Sequence, residues 1–572
     1  MRTSVRAVLV AGLSLALLAS GAVGASGAQD RAGSGRGVQT YYVPVTQSLV
    51  VMGNGYGHGR GMSQHGAQGA ALGGRTHRQI LAFYYPGTTV GTHRGPLRVL
   101  VTADTTSDVV VKPARGLRVR DLATGKAVTV PKRDGILTWR ITPMFKKRAR
   151  TVVQYRNAEG WQRWRVLTGD GQFSADRPLR LVLPDGSSTR YRGLLRSASP
   201  YPRAKVRDTV NVVSMDDYVR GVIAREMPSS WHPQALRAQA VAARTYASFA
   251  RRANKDRYWQ VCDTTSCQVY GGLPAETGTT NQTVAATAGA VLRSKGRFAF
   301  TQYSASSGGW TVDGGRSYLR AKKDPWDDWS GNPNRRWRQP ISVTSLEAAY
   351  PQLGRLLSIR VTRRDGNGVW KGRVLQAVLK GSAGSVSVTG DDLRWRYGLR
   401  STWFTIRPTP IIASWRELGG RRSPLGAPVS AEAAVTGTGG AVGARQLFEK
   451  GRSFWTRAEG ANPLWGPILA RYRKLDGPDS RYGFPRSGVV AVKDGGTRAA
   501  FASGAILSSP RTGPHGLYGR ILLAYSKRGG AAGRLGFPTD DLVKGRKRER
   551  VTFQHGRITL HRKSGELTVG FD

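Results

Sequence analysis

Between residues 95 and 212, apolar and polar side chains alternate in short runs: PLRVLVTA, LRVRDL, AVTVPK, LRLVLP and VNVVSM, each closed by Gly, Asp or Pro. A period of two turns alternate side chains to one face, so this region is expected to be rich in half-buried strands. The pattern changes at residue 214. From there to 253 the spacing is helical, and ALRAQAVAARTYASFA (235–250) is rich in alanine, the strongest helix former. Ser214 is placed to cap the first helix, with Asp216 and Asp217 in its first turn. RTHRQILAFYYPGT (75–88) predicts an earlier helix, and residues 284–290 predict a short one ending near Gly289. Short strands return from Val291 to Ile406, among them LSIRVTRR and VLQAVLKG. The pattern as a whole predicts an α+β fold: a β-rich domain over residues 46–406 with helices inserted around a cleft.

Beyond residue 406 the pattern repeats. IIASWRELGG (411–420), ILARYRKLDG (468–477) and ILLAYSKRGG (521–530) are variants of one helical unit. Each leads to a Gly-Pro turn, LGAP (425–428), YGFP (482–485) or LGFP (535–538), and then to a Phe-x-x-Gly pair. The turn glycines Gly426, Gly483 and Gly536 are 57 and 53 residues apart, the spacing of small units that share a core with their neighbours. Residues 411–572 therefore predict three small α/β-type repeats, and Arg407-Pro408-Thr409-Pro410 predicts a linker before them.

The first 28 residues follow a different rule. Arg2 and Arg6 precede the apolar run AVLVAGLSLALLA, and small residues continue to Ala28. This order predicts a secretory signal peptide cut near Ala25 or Ala28. Residues 29–45 are polar and Gly-rich and predict a disordered lead, and no later stretch is apolar for the length of a membrane span. Export changes the meaning of the charge. With 88 Lys and Arg against 36 Asp and Glu, the formal charge is +52. Such a chain attracts polyanions. Nucleic acid is one candidate and an anionic cell envelope another; the export signal favours the envelope. The charge runs along the whole chain, so a general bias toward arginine is a further reading. Cys262 and Cys267, in VCDTTSCQVYGG, read in an exported chain first as a disulfide, with a metal site as the alternative.

Three segments carry candidate chemistry. Glu226-Met227-Pro228-Ser229-Ser230-Trp231 sets a carboxylate beside a Pro-Trp turn that leads into the alanine-rich helix. Partial burial there raises a carboxyl pKa and suits it to general-acid work. GNGYGHGRGMSQHGAQGAALGG (53–74) has glycines at 53, 55, 57, 59 and 61. Alternating glycine bares one face of an extended segment and lets backbone amides approach a ligand. His58 and His65 alone, without a carboxylate, make a weak metal pair. CQVYGG (267–272) and TQYSASSGGWT (301–311) mix hydroxyl, amide and aromatic groups, the surface that sugars bind, or equally plain turn chemistry.

Together DDYVRGVIAREMPSSW, ALRAQAVAARTYA, DTTSCQVYGG, VAATAGAVL, YSASSGGWT, LRSTWF and GHGRGMSQHGA closely resemble the stage II sporulation protein D family and its amidase-enhancer relatives, over residues 46 to 406. The resemblance implies a lytic transglycosylase that cuts peptidoglycan glycan strands and leaves 1,6-anhydromuramyl ends, with Glu226 as its acid; the rival it leaves open is a non-catalytic activator of a wall amidase. A lone carboxylate suits this chemistry, because Asp216 and Asp217 are explained by the helix start. Glycan contacts are then expected at His58, Gln64, Gln268, Tyr270, Ser306 and Ser307, with Tyr218 and Trp231 shaping the acid's surroundings. Family members carry the GHGxGMSQ segment at the end of the domain and here it comes first, which implies a circular permutation. Residues 46–56 should then lie beside Phe404 to Ile406, and His58 and Gln64 should line the Glu226 cleft. Some relatives bind zinc through a histidine where this chain has Ser266, so neither metal nor cofactor is expected. The tail resembles the LGFP repeats of actinobacterial envelope proteins, which implies a secreted, wall-associated protein held on anionic wall polymers or arabinogalactan, with no nucleic-acid partner.

Overall fold

The computed structural model describes residues 38–144, 150–202 and 204–572. The signal peptide and most of the lead expected from the sequence lie outside the described residues. Helices are interspersed among mainly antiparallel sheets, and the fold is α+β. Two sheets, antiparallel except for one edge pair, occupy the β-rich part. One has six strands from Val109–Val111 to Ser188–Tyr191. The other has seven, and its middle strand pairings run Pro96–Leu100, Asp208–Ser214 and Leu194–Ala198. At its edge Val261–Cys262 pairs parallel to Pro96–Leu100, which anchors the cysteine loop.

The helix Pro233–Ala253 is the axis of the helical layer. Ala235, Ala238, Ala240, Ala242, Ala243 and Ala247 are all buried, so their small side chains let other elements approach closely. Gln64–Leu72, His77–Tyr84, Met215–Glu226 and the strand Ala290–Ser294 pack against it. Arg244, fully buried in this helix, pairs with Asp216 at 2.8 Å and donates to the Ala290 carbonyl, so the first-turn aspartate also serves as a counter-ion. The short helix expected at 284–290 is Gly278–Ala286 instead, started by a capping box on Thr277; the chain is already a strand by Ala290.

A second core lies around Tyr41, Leu49, Ile359, Leu379 and Phe404. Here the disordered lead needs correction. Gln39–Tyr42 is a strand, paired with Leu356–Arg364 and burying Tyr41. Ser48–Gly53 sits between Trp337–Ser342 and Phe404–Ile406, with Val51 opposite Ile406 and Gly53 opposite Phe404. The domain's first long strand therefore closes on its last. The stretch after it is tied down rather than free: the Arg407 amide donates to Val50, and Thr409 caps the helix Pro410–Glu417.

Each C-terminal repeat is a helix and a four-stranded antiparallel sheet. The repeated letters have physical roles. The turn glycines Gly426, Gly483 and Gly536 all have φ near +70°, a conformation other residues seldom adopt. In each repeat the helix aromatic donates to that glycine's carbonyl: Trp415 to Gly426, Tyr472 to Gly483 and Tyr525 to Gly536. The turn prolines pair with the phenylalanines of the Phe-x-x-Gly hairpins, as in Pro485 with Phe501. Neighbouring repeats share cores: Phe454 and Leu464 of the first pack with Tyr472, Phe484 and Phe501 of the second.

Candidate active site

Glu226 is the last residue of the helix Met215–Glu226 and is half-buried. Three groups meet its carboxylate. Gln64 Nε2 donates to Oε2 at 3.1 Å, the Val269 amide donates to Oε1 at 3.3 Å, and the Tyr303 phenol supplies a third bond. These bonds favour the ionised form, yet burial outweighs them and raises the pKa. The negative end of the helix acts in the same direction. An amide, a peptide N–H and a phenol surround the acid, and among the described residues no second carboxylate bonds to it.

Gln64 arrives from the glycine-rich segment. Met62 and Ser63 form a parallel bridge with Tyr303 and Ser304, and Ser63 then caps the helix Gln64–Leu72. One turn on, Gln68 accepts from the His232 amide, so two glutamines on one helical face grip both ends of the Glu226–His232 turn. His65, between them, packs edge-on against Trp231 at 4.9 Å and against Trp329 at 5.8 Å.

The glycines have a different reason from the one expected. Gly55, Gly57, Gly59 and Gly61 all have positive φ, and their bare faces are covered by the protein itself. A Cβ at Gly53 would fall 2.1 Å from the Trp337 ring, at Gly57 2.7 Å from Ser304, and at Gly61 1.9 Å from the Gln302 carbonyl. The alternation makes a backbone that nests in its own chain, not one open to a ligand.

Several expected glycan contacts lie too deep. Ser306 and Ser307 are fully buried and donate to Asp327 and Asp324 at 2.7 and 2.8 Å, so their hydroxyls hold the fold. Tyr270 is buried over Gly221, with its hydroxyl on Asn211. Gln268 and Tyr218 are buried as well and act behind the acid. Tyr218 donates to Gln268 Oε1, and Gln268 Nε2 donates to the Tyr303 hydroxyl at 2.7 Å. Because that hydroxyl accepts from Gln268, its own proton is directed to Glu226. His58 accepts from the Arg60 amide and bonds to the Tyr303 backbone; burial and the guanidiniums of Arg60, Arg373 and Arg394 lower its pKa to about 4. It braces Tyr303 as a neutral ring. Of the residues singled out in the sequence, Glu226, Trp231 and His58 remain half-buried, and Gln64 touches the acid from a buried position.

Tyr303, half-buried at the acid, is the residue the sequence reading passed over. It stands in the same TQYSASSGGWT run, where the serine hydroxyls drew attention. Asp324 and Asp327 were also missed. Both are buried behind Ser63, Ser306 and Ser307, and Asp324, also bonded by Tyr84, has its pKa raised to about 7 by burial and by Asp327. Cys262 and Cys267 are joined as a disulfide, and Cys267 leads directly into Gln268 and Val269 at the acid.

Residues 203–293, which include Glu226 and the disulfide, match the family model for stage II sporulation protein (SpoIID), and residues 425–480 and 483–533 match the LGFP repeat. The chain is 39% identical over 139 residues to an amidase enhancer of Bacillus subtilis, covering 23% of this chain and 19% of that protein. It is 27% identical over 238 residues to stage II sporulation protein D of Bacillus amyloliquefaciens, covering 37% of this chain and 63% of the relative. For the Bacillus subtilis protein of the same name the figures are 29% over 224 residues, 34% and 61%. The chain thus spans less than two thirds of the length of each of these relatives.

Proposed function

The chain carries a SpoIID domain followed by LGFP repeats, and from that pairing we propose an exported lytic transglycosylase that cuts peptidoglycan between N-acetylmuramic acid and N-acetylglucosamine. The observation that carries this reading is Glu226: a carboxyl with its pKa raised by burial, bonded by neutral groups and, among the described residues, by no partner carboxylate. A hydrolase of the two-carboxylate kind needs a second acid to activate water or to attack the sugar. A lytic enzyme needs one residue twice. Protonated Glu226 gives its proton to the glycosidic oxygen as the bond from C1 of the muramyl sugar breaks. The C6 hydroxyl of that sugar then closes on C1, and the Glu226 carboxylate takes the hydroxyl proton. The acid is regenerated and no water is consumed. Gln64, the Val269 amide and Tyr303 stabilise the carboxylate in the interval between the two proton transfers.

The LGFP repeats would hold the enzyme on the wall, on anionic polymers or arabinogalactan, and the charge of +52 would add a salt-sensitive attraction. Among the described residues no helix is long and apolar enough to cross a membrane. A second reading, a non-catalytic activator of a wall amidase, is favoured by the 39% identity to the amidase enhancer. Purified protein incubated with glycan strands separates the two. Anhydro-ended products by mass spectrometry, lost in Glu226→Gln, support the enzyme. Wall binding without products, together with stimulation of an added amidase, supports the activator, and reducing-end products would mean hydrolysis.

A further inference from the structure

A cavity of about 700 Å³ opens beside the sheet that joins Ser48–Gly53 to Trp337–Ser342 and Phe404–Ile406, and Glu226 does not line it. Four indoles do: Trp310, Trp337, Trp370 and Trp403. Two are buried and their N–H groups are used within the protein. Trp337 lies on Gly53 and donates to the Gly55 carbonyl at 2.9 Å; Trp403 lies on Gly368 and donates to Val369 at 3.0 Å. Trp310 and Trp370 stay half-buried.

Trp370 is held at a cost. Its φ is 56°, and Lys371 follows at 63°, in a loop whose Gly366, Gly368 and Gly372 are also left-handed. A bulky aromatic in that region is a backbone outlier, and strain of this kind collects at ligand sites. Burial gives little in return, because the ring is left partly in solvent. Around the indoles stand Asp328, paired with Arg335, and the exposed Arg336 and Arg338. Flat apolar faces ringed by carboxylate and guanidinium groups match one chemistry in particular. A pyranose offers a C–H face to aromatic rings and a rim of hydroxyl and acetamido groups to ionic partners.

We propose that this cavity is a second saccharide-binding site, which takes a sugar of the glycan strand against Trp310 and Trp370. The site rests on the reading of the substrate as a wall glycan. It is linked to the acid through the glycine-rich segment, whose Gly53 and Asn54 line the cavity and whose Gln64 bonds Glu226. Asp327, on the cavity wall, accepts from Ser63 at 2.5 Å, next to that glutamine.

The test is calorimetric titration of the full chain carrying Glu226→Gln with the N-acetylglucosamine pentamer. Trp370→Gly suits the left-handed backbone and removes only the indole; Trp310→Ala is the second variant. Each is expected to weaken binding at least tenfold with thermal unfolding unchanged. Unchanged affinity in Trp370→Gly, or no binding by the parent, overturns the proposal. Should Trp310→Ala unfold, Trp370→Gly decides alone. Product analysis on the unsubstituted chain reports separately on Glu226, so a chain that cuts nothing yet loses the pentamer on Trp370→Gly would retain this site and refute the cleavage.

Discussion

Gln64 and Glu226 stand 162 positions apart and are joined by a single hydrogen bond, amide to carboxylate, of 3.1 Å. Gln64 is buried at the first position of its helix, so it has little freedom to bond elsewhere. A hydrogen bond to a charged group is worth about 1.5–3 kcal/mol. Gln64→Ala is therefore expected to lower kcat about tenfold or more while the fold persists, and to raise the Glu226 pKa further because a bond to the ionised form is lost. The pH dependence of glycan cleavage checks both effects: activity should fall at a higher pH in the variant than in the parent. An unchanged profile would mean that the contact is idle.

Tyr303 tests the same carboxylate from another side. Its hydroxyl accepts from Gln268 and bonds Glu226, so Tyr303→Phe removes one stabiliser of the carboxylate and leaves Gln268 Nε2 with only the Ala243 carbonyl at 3.4 Å. The alkaline limb should again move to higher pH, and kcat should fall with little change in KM. Gln268→Met removes the amide without adding a charge beside Glu226 and should shift the limb the same way, by releasing Tyr303 and Tyr218. If Gln268→Met lowers activity but Tyr303→Phe does not, the chain from Tyr218 through Gln268 to Tyr303 is not the route by which the acid is tuned.

The glycine-rich segment shows how much of this site was legible. Its alternation was plain in the sequence, and the resemblance to a known family placed Gln64 beside Glu226. The reason for the glycines was not legible, because the atoms that forbid a side chain at Gly53 and Gly61 belong to Trp337 and Gln302, far along the chain. The same holds for Gln39–Tyr42, which is a strand through its pairing with Leu356–Arg364. Ser306 and Ser307 carried the right functional groups, but whether a hydroxyl faces solvent or Asp324 and Asp327 depends on partners that local sequence does not specify. The repeats were the most legible part, since their turn glycine, proline and hairpin phenylalanine interact within one unit.

Gly61→Ala follows from that packing. The φ of +67° disfavours any L side chain, and the new Cβ would stand 1.9 Å from a backbone carbonyl, which cannot swing away as a side-chain tip can. Strain and overpacking each cost about 1–3 kcal/mol, so the combined loss should exceed about 3 kcal/mol. Chemical denaturation measures it. Gly74→Ala is the control: its φ is also positive but nothing lies within 4 Å, so it should cost clearly less. Equal losses would show that conformation, and not close packing, is what the segment requires.

Asp324 gives the protein a pH dependence of its own. The carboxyl is buried between Tyr84 and Ser307, and burial, then the charge of Asp327, raises its pKa from 3.8 to about 7. A carboxyl with a higher pKa folded than unfolded binds its proton more tightly in the native state. Its contribution to stability is therefore complete below about pH 4 and is lost as the pH rises toward 7. Asp324→Asn keeps the shape and removes the titration. The variant should be less stable than the parent in acid, where protonated Asp324 stabilises most, and the difference should shrink or reverse by pH 7 to 8. Thermal unfolding from pH 4 to 8 reads this directly; parallel curves for parent and variant would show that Asp324 stays ionised throughout, with Tyr84 and Ser307 bonds sufficient to hold the charge.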